Sequence, residues 1–121
     1  STILTGIKSL NLERNAIGDE GVRSLSLSPL FSHLTVLNLW KNQVGSEGAK
    51  AIADSFILSN LQRLDLAHNR IGDDGGKALA ESQTLTSLKY VDLFGNGIGE
   101  ETQAALKESL NFKNLQHLVL E

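Results

Sequence analysis

The sequence contains no cysteine, no methionine and a single proline, Pro29. Zero cysteine, together with the lack of any N-x-S/T glycosylation site, favours a cytoplasmic setting. The missing methionine extends to position 1, so Ser1 is read as a processed end, an artificial end or a cut through a longer chain. No apolar run approaches the roughly 18 residues of a membrane span, and no signal peptide is seen. There is no run of basic residues either, so nucleic acid is not an expected partner. Aromatics are scarce, with one Trp, one Tyr and four Phe. The net charge is −3, and seven of the 14 acidic residues (Asp19, Glu20, Glu47, Asp73, Asp74, Glu100 and Glu101) sit at expected helix starts. Carboxylates are favoured there by the helix dipole, so the acidity is structural and does not imply a basic partner.

What the sequence does contain is repetition. Residues 34–48 read LTVLNLWKNQVGSEG, of the form L-x-x-L-x-L-x-x-N-x-V-G-x-E-G. The pattern recurs at 7–21 (IKSLNLERNAIGDEG), 61–75 (LQRLDLAHNRIGDDG) and 88–102 (LKYVDLFGNGIGEET), and a further copy starts at Leu115. Asn15, Asn42, Asn69 and Asn96 stand 27 residues apart, and so do Leu12, Leu39, Leu66, Leu93 and Leu120. A constant period in this range marks a solenoid. The expected units are the tail of a preceding repeat at 1–6, repeats at 7–33, 34–60, 61–87 and 88–114, and a partial repeat at 115–121. In the tail, Ile3 and Leu4 align with Leu30 and Phe31.

Each repeat changes periodicity halfway. Alternation predicts strands over 9–13, 36–40, 63–67, 90–94 and 117–121, stacked in parallel. Apolar residues at helical spacing then predict a helix: Val22, Leu25 and Leu27; Ala49, Ile52 and Ala53; Ala78 and Leu79; Ala104, Ala105, Leu106 and Leu110. Asp19, Ser46 and Asp73 are read as N-caps, with Glu100 in the equivalent place of the fourth repeat. Gly21, Gly48 and Gly75 fall in the first helical turn, which predicts close approach of neighbouring elements. Pro29 ends the first helix. Phe31, Leu58, Leu85 and Phe112 share one repeat position and are expected in the core. Asn15, Asn42, Asn69 and Asn96 are read as a structural ladder, since an inward amide both donates and accepts where the chain turns off the sheet. Strands stack about 4.8 Å apart and helices roughly 8–10 Å, so the sheet becomes the inside of an arc.

The repeat resembles that of the ribonuclease-inhibitor-like leucine-rich repeat proteins, and its 27-residue period looks most like bacterial members of that group. The resemblance implies an α/β leucine-rich-repeat solenoid of right-handed β-α units, with a parallel sheet on the concave side and helices on the convex side. It also implies a non-catalytic module that binds a protein or peptide on the concave face.

Catalytic and ligand motifs are poorly matched. Gly95-Asn96-Gly97-Ile98-Gly99 resembles a phosphate loop, but the dinucleotide pattern needs glycine where Glu100 stands. Asp73-Asp74-Gly75 lacks the calcium-loop spacing. His33, His68 and His117 occupy different repeat positions, so no metal site is expected. No cofactor and no catalytic set is predicted.

The variable strand positions are more informative. Three expected concave columns are Ser9, Val36, Arg63, Tyr90 and His117; Asn11, Asn38, Asp65, Asp92 and Val119; and Glu13, Trp40, Ala67, Phe94 and Glu121. A rim column holds Arg14, Lys41, His68 and Gly95. Trp40, Tyr90 and Phe94 all fall on this face, where a core cannot use them, and exposed aromatics beside arginine typify binding hot spots. Trp40 and Phe94 lie two strands apart, roughly 10 Å. They are expected to wall an apolar slot floored by Ala67 and rimmed by Lys41, Arg63, Asp65 and Asp92. The competing expectation is that these rings cover the sheet. Uncapped terminal strands predict end-to-end self-association as a second class of function, and a regulatory array attached to a catalytic domain elsewhere is a third.

Overall fold

A computed structural model describes residues 6–120. Five short strands, β1 (Ser9–Asn11), β2 (Val36–Asn38), β3 (Arg63–Asp65), β4 (Tyr90–Asp92) and β5 (His117–Val119), form one parallel sheet in sequential order. Between them lie α1 (Asp19–Leu27), α2 (Ser46–Ala53), α3 (Gly72–Ala80) and α4 (Glu100–Lys107). The register repeats the sequence period: Leu10 faces Leu37, Leu37 faces Leu64, Leu64 faces Val91 and Val91 faces Leu118. The molecule is an α/β repeat solenoid. Expected residues Ile3, Leu4 and Glu121 lie outside the described residues.

The strands are two residues shorter than alternation predicts. The reason is local. Asn11, Asn38, Asp65 and Asp92 each accept the backbone N–H two residues ahead, at 2.9–3.1 Å. That side-chain bond turns the chain away from the ladder geometry. Arg14, Lys41 and His68 then take φ of 59°, 56° and 58°, and Gly95 takes 76°. Some sheet bonding persists through the bend, as in Leu39 N to Asp65 O and Lys41 N to Ala67 O, both 2.9 Å.

Leu34, Leu37, Leu39, Leu61, Leu64, Leu66, Leu85 and Leu93 are fully buried between sheet and helices. The helices contribute Val22, Leu25, Ala49, Ile52, Ala53, Leu79 and Leu106. Leu58, Leu85 and Phe112 are buried as their shared position predicts, and Phe31 packs partly buried against the same core. Four expected core residues are not in it: Leu27, Ala104, Ala105 and Leu110 are exposed. Leu27 is the last residue of α1 and Leu110 follows the end of α4, so both sit where the helical face has already turned outward.

Two polar columns join the repeats. The Asn42 carbonyl accepts from the N–H groups of Asn15 and Ile17, both at 2.9 Å, while its amide donates to Leu12 O. Asn69 accepts from Val44 N and donates to Leu39 O and Leu66 O. Asn96 accepts from Ile71 N and donates to Leu66 O and Leu93 O. Asn15, exposed at the first repeat, donates to Glu13 O within its own turn. The second column is serine. The hydroxyls of Ser55, Ser82 and Ser109 donate to Ser26 O, Ala53 O and Ala80 O of the preceding repeat, each at 2.6 Å. These carbonyls belong to the last turn of a helix, where orphan acceptors need partners.

The helix starts differ from expectation. Gly18, Gly45, Ile71 and Gly99 are the N-cap residues, and none of the four helices has a side-chain cap from its own N-cap. Asp19 and Ser46 are the first helical residues, and Asp73 is the second. The Asp19 carboxylate instead reaches the next repeat, accepting Gly45 N at 2.7 Å and Gly48 N at 2.9 Å. Asp73 likewise accepts Gly99 N at 2.8 Å, at the start of α4. Capping therefore runs between repeats, and it binds the stack together as well as satisfying helix N–H groups.

Candidate protein-interaction surface

The sheet face opposite the helices carries the variable columns, one residue per strand. The chain folds so because the inward residue of each strand is aliphatic and its two neighbours must point the other way. Position three after the strand midpoint holds Glu13, Trp40, Ala67 and Phe94. The turn that follows, in the left-handed conformation, presents Arg14, Lys41, His68 and Gly95 beside it.

Trp40 and Phe94 do not wall an open slot. His68 stands between them, its imidazole 5.7 Å from the Trp40 ring at 89° and 5.5 Å from the Phe94 ring at 82°. These are edge-to-face contacts on both sides. Ala67, the expected floor, is 2% exposed because it is covered. The correction has a physical cause. Left-handed backbone at His68 swings its side chain over the preceding position. Gly95 leaves room for it, since a Cβ there would come within 2.9 Å of His68 Nδ1. The stack continues to the other side of Trp40, where Arg14 Cζ lies 4.9 Å and Lys41 Nζ 5.9 Å from the ring centroid. Arg14, Trp40, His68 and Phe94 thus form one row across four repeats, a guanidinium followed by three rings.

A shorter row runs parallel to it. Arg63 Cζ sits 4.0 Å over the Tyr90 ring, and His117 lies 6.2 Å beyond Tyr90. Between the two rows lies the Asn11, Asn38, Asp65, Asp92 column. Asp65 and Asp92 of this column were expected to rim the slot with Lys41 and Arg63; all four column residues face the surface, but each spends one oxygen on the backbone N–H two residues ahead. Asp65 is half-buried, and burial pushes its carboxyl above the usual aspartate value. The Ala67 N–H and Arg63 oppose that rise, while Asp92 and Glu13 add to it. A hollow of about 340 Å³ lies at the rim, lined by Arg14, Ala16, Lys41, Asn42 and Gln43. Ala16 and Gln43 escaped the sequence reading, because neither residue type marks a binding role by itself.

The turn at 95–99 buries the Asn96 amide in the ladder, and Gly99 N donates to Asp73, so the start of α4 already holds a carboxylate. Among the described residues no three His, Cys, Asp or Glu side chains gather as a metal site would require. Among them, too, no helix is long and apolar enough to cross a membrane.

A search of curated proteins returns no match. Among solved structures, the leiomodin-1 actin-binding site 2 is similar, with a TM-score of 0.78 at 18% identity. The match covers 94% of this chain and 70% of that one. At that identity the likeness concerns the fold. The profile of the family described as "Leucine Rich repeat" matches residues 6–26, 32–53, 58–80 and 84–101, four segments that together make up most of the chain. The chain belongs to the leucine-rich repeat family.

Proposed function

We propose that this chain is a non-catalytic interaction module that binds a protein or peptide on the concave face of its sheet. The observation that carries the reading is the row Arg14, Trp40, His68 and Phe94. One guanidinium and three rings are laid across four repeats on a face where the core has no use for them. Tyr90 with Arg63 extends the same surface. Rigid aromatic groups flanked by arginine lose little entropy on binding and match the composition of interaction hot spots. Lys41, Asp65 and Asp92 supply the polar rim, and Ala67 serves as packing beneath it. The leiomodin-1 structure, described as an actin-binding site, supports protein binding as a use of this fold and transfers no residue at 18% identity.

The 27-residue period and the N-x-[IV]-G turn support placement in the ribonuclease-inhibitor-like branch, with bacterial members as the nearest in pattern. A cytoplasmic setting belongs to the same reading.

The test compares Trp40→Ala, Phe94→Ala and the pair with the parent chain, using proteins captured from a lysate and identified before titration. Thermal stability should fall by no more than about 1 kcal/mol for partly exposed rings, while affinity for the captured partner falls about tenfold or more. Unfolding of the variants on the scale of Leu66→Ala, about 2–5 kcal/mol, would show that the rings cover the sheet.

A further inference from the structure

A second surface lies on the opposite edge, where the helices end and the chain returns to the sheet. All repeats run in one sense, so the C-terminal ends of α2, α3 and α4 line up along this edge. The carbonyls of Ala53 and Ala80 at the ends of α2 and α3 are bonded by the Ser82 and Ser109 hydroxyls, so the side chains set the charge of this edge. Here the C-cap residues are Asp54, Glu81 and Glu108. Lys50, Lys77 and Lys107 lie in the last turns, yet among the described residues none of the three carboxylates is ion-paired. Along the edge as a whole the lysines balance these carboxylates, but the groove beside Phe56 is lined by Asp54 and Glu81 and by no cationic side chain.

The same edge exposes large apolar groups. Phe56 is 82% exposed and Leu110 is 87% exposed. Gln83 occupies the repeat position between them, so the fold does not require an apolar residue there. Beside Phe56 is a groove of about 460 Å³ lined by Ala53, Asp54, Phe56, Glu81, Gln83 and Thr84. An aromatic wall and a floor of small residues are thus flanked on both sides by carboxylates.

We infer that this edge docks a basic polypeptide segment, with an aliphatic or aromatic side chain set into the groove beside Phe56 and lysine or arginine on Asp54 and Glu81. The charge decides the class of occupant. The groove beside Phe56 offers two carboxylates and no cation, so a cationic peptide finds both its charge and its apolar anchor matched there, which an anionic membrane or a nucleic acid does not. The surface is separate from the aromatic row on the sheet, so either one stands without the other.

The experiment titrates the chain with a labelled peptide of alternating leucine and lysine and follows fluorescence anisotropy. Phe56→Ser should weaken binding about tenfold, and Asp54→Lys with Glu81→Lys should abolish it. Trp40→Ala should leave it unchanged. Glu100→Lys with Glu101→Lys makes the same change in net charge at the helix starts and should cost far less. The inference is overturned if the parent chain does not bind, if Phe56→Ser binds as the parent does, or if the two charge-reversal pairs weaken binding equally. A Phe56-dependent dimer of the chain alone, seen by sedimentation, would overturn it in favour of a second copy as the occupant.

Discussion

Asp19 Oδ1 lies 2.9 Å from the backbone nitrogen of Gly48, and a Cβ added at residue 48 would come within 2.6 Å of that same oxygen. The glycine and the aspartate, 29 residues apart, are two halves of one joint. In an ordinary exposed helix Gly→Ala gains up to about 1 kcal/mol. Here Gly48→Ala is expected to destabilise, because it pushes out the carboxylate and also meets Val44 Cγ1 at 2.8 Å. Asp19→Ala removes a cap from α2 and should cost about 1–2 kcal/mol. The two changes should be less than additive in chemical denaturation, since both break one contact. Additive losses would show that Asp19 does not hold α2.

Asp73 makes the matching bond to α4 and yields a pH prediction. The Gly99 N–H, then the Thr102 hydroxyl, hold its carboxyl below the usual value of 3.8. A depressed folded pKa favours the folded state above 3.8 and loses that contribution as pH falls through the folded value. Asp73→Asn should therefore lower the melting temperature at neutral pH and flatten the acid limb below 3.8. An acid limb identical to the parent's would contradict the capping role.

Asp65 predicts the opposite sign. Burial raises its carboxyl above 3.8, so the folded state disfavours the charge, and stability from this group is lost as pH rises past that value. Asn38 makes the same bond to the following backbone N–H as a neutral amide, at 2.9 Å. Asp65→Asn should therefore raise the melting temperature at pH 7. The gain should vanish in acid, where Asp65 is protonated. A loss at neutral pH would mean that its carboxylate does more than accept from Ala67.

Ser26 is buried in α1, and among the described residues its hydroxyl has no hydrogen-bond partner. Ala53 and Ala80 hold the same place in the next two repeats. Ser26→Ala should stabilise the chain by about 1 kcal/mol, since an unsatisfied buried hydroxyl is removed and helix propensity improves. Equilibrium unfolding in urea measures it; a loss of stability would indicate a partner for the hydroxyl.

The repeat itself was legible because leucine and asparagine recur where geometry leaves no alternative. Leu37, Leu64 and Val91 meet in register because the same spacing returns each strand to the same depth. The serine column was legible too, in Ser28, Ser55, Ser82 and Ser109, but a common surface residue is easily passed over until its hydroxyl is seen bonded to a helix end. Helix caps were misassigned because N-cap rules assume that a carboxylate serves its own helix. Stacking brings the next helix closer.

The sequence by itself determined the period, the order of strand, turn and helix, the inward leucines and the asparagine turns, because each depends on contacts that recur identically every 27 residues. The tertiary structure decided what depends on one particular neighbour. It set Asp19 on α2, placed His68 between Trp40 and Phe94, and left Phe56 and Leu110 uncovered. These outcomes turn on side-chain direction and on differences of an ångström or two between adjacent repeats. A linear pattern of residue types carries neither quantity.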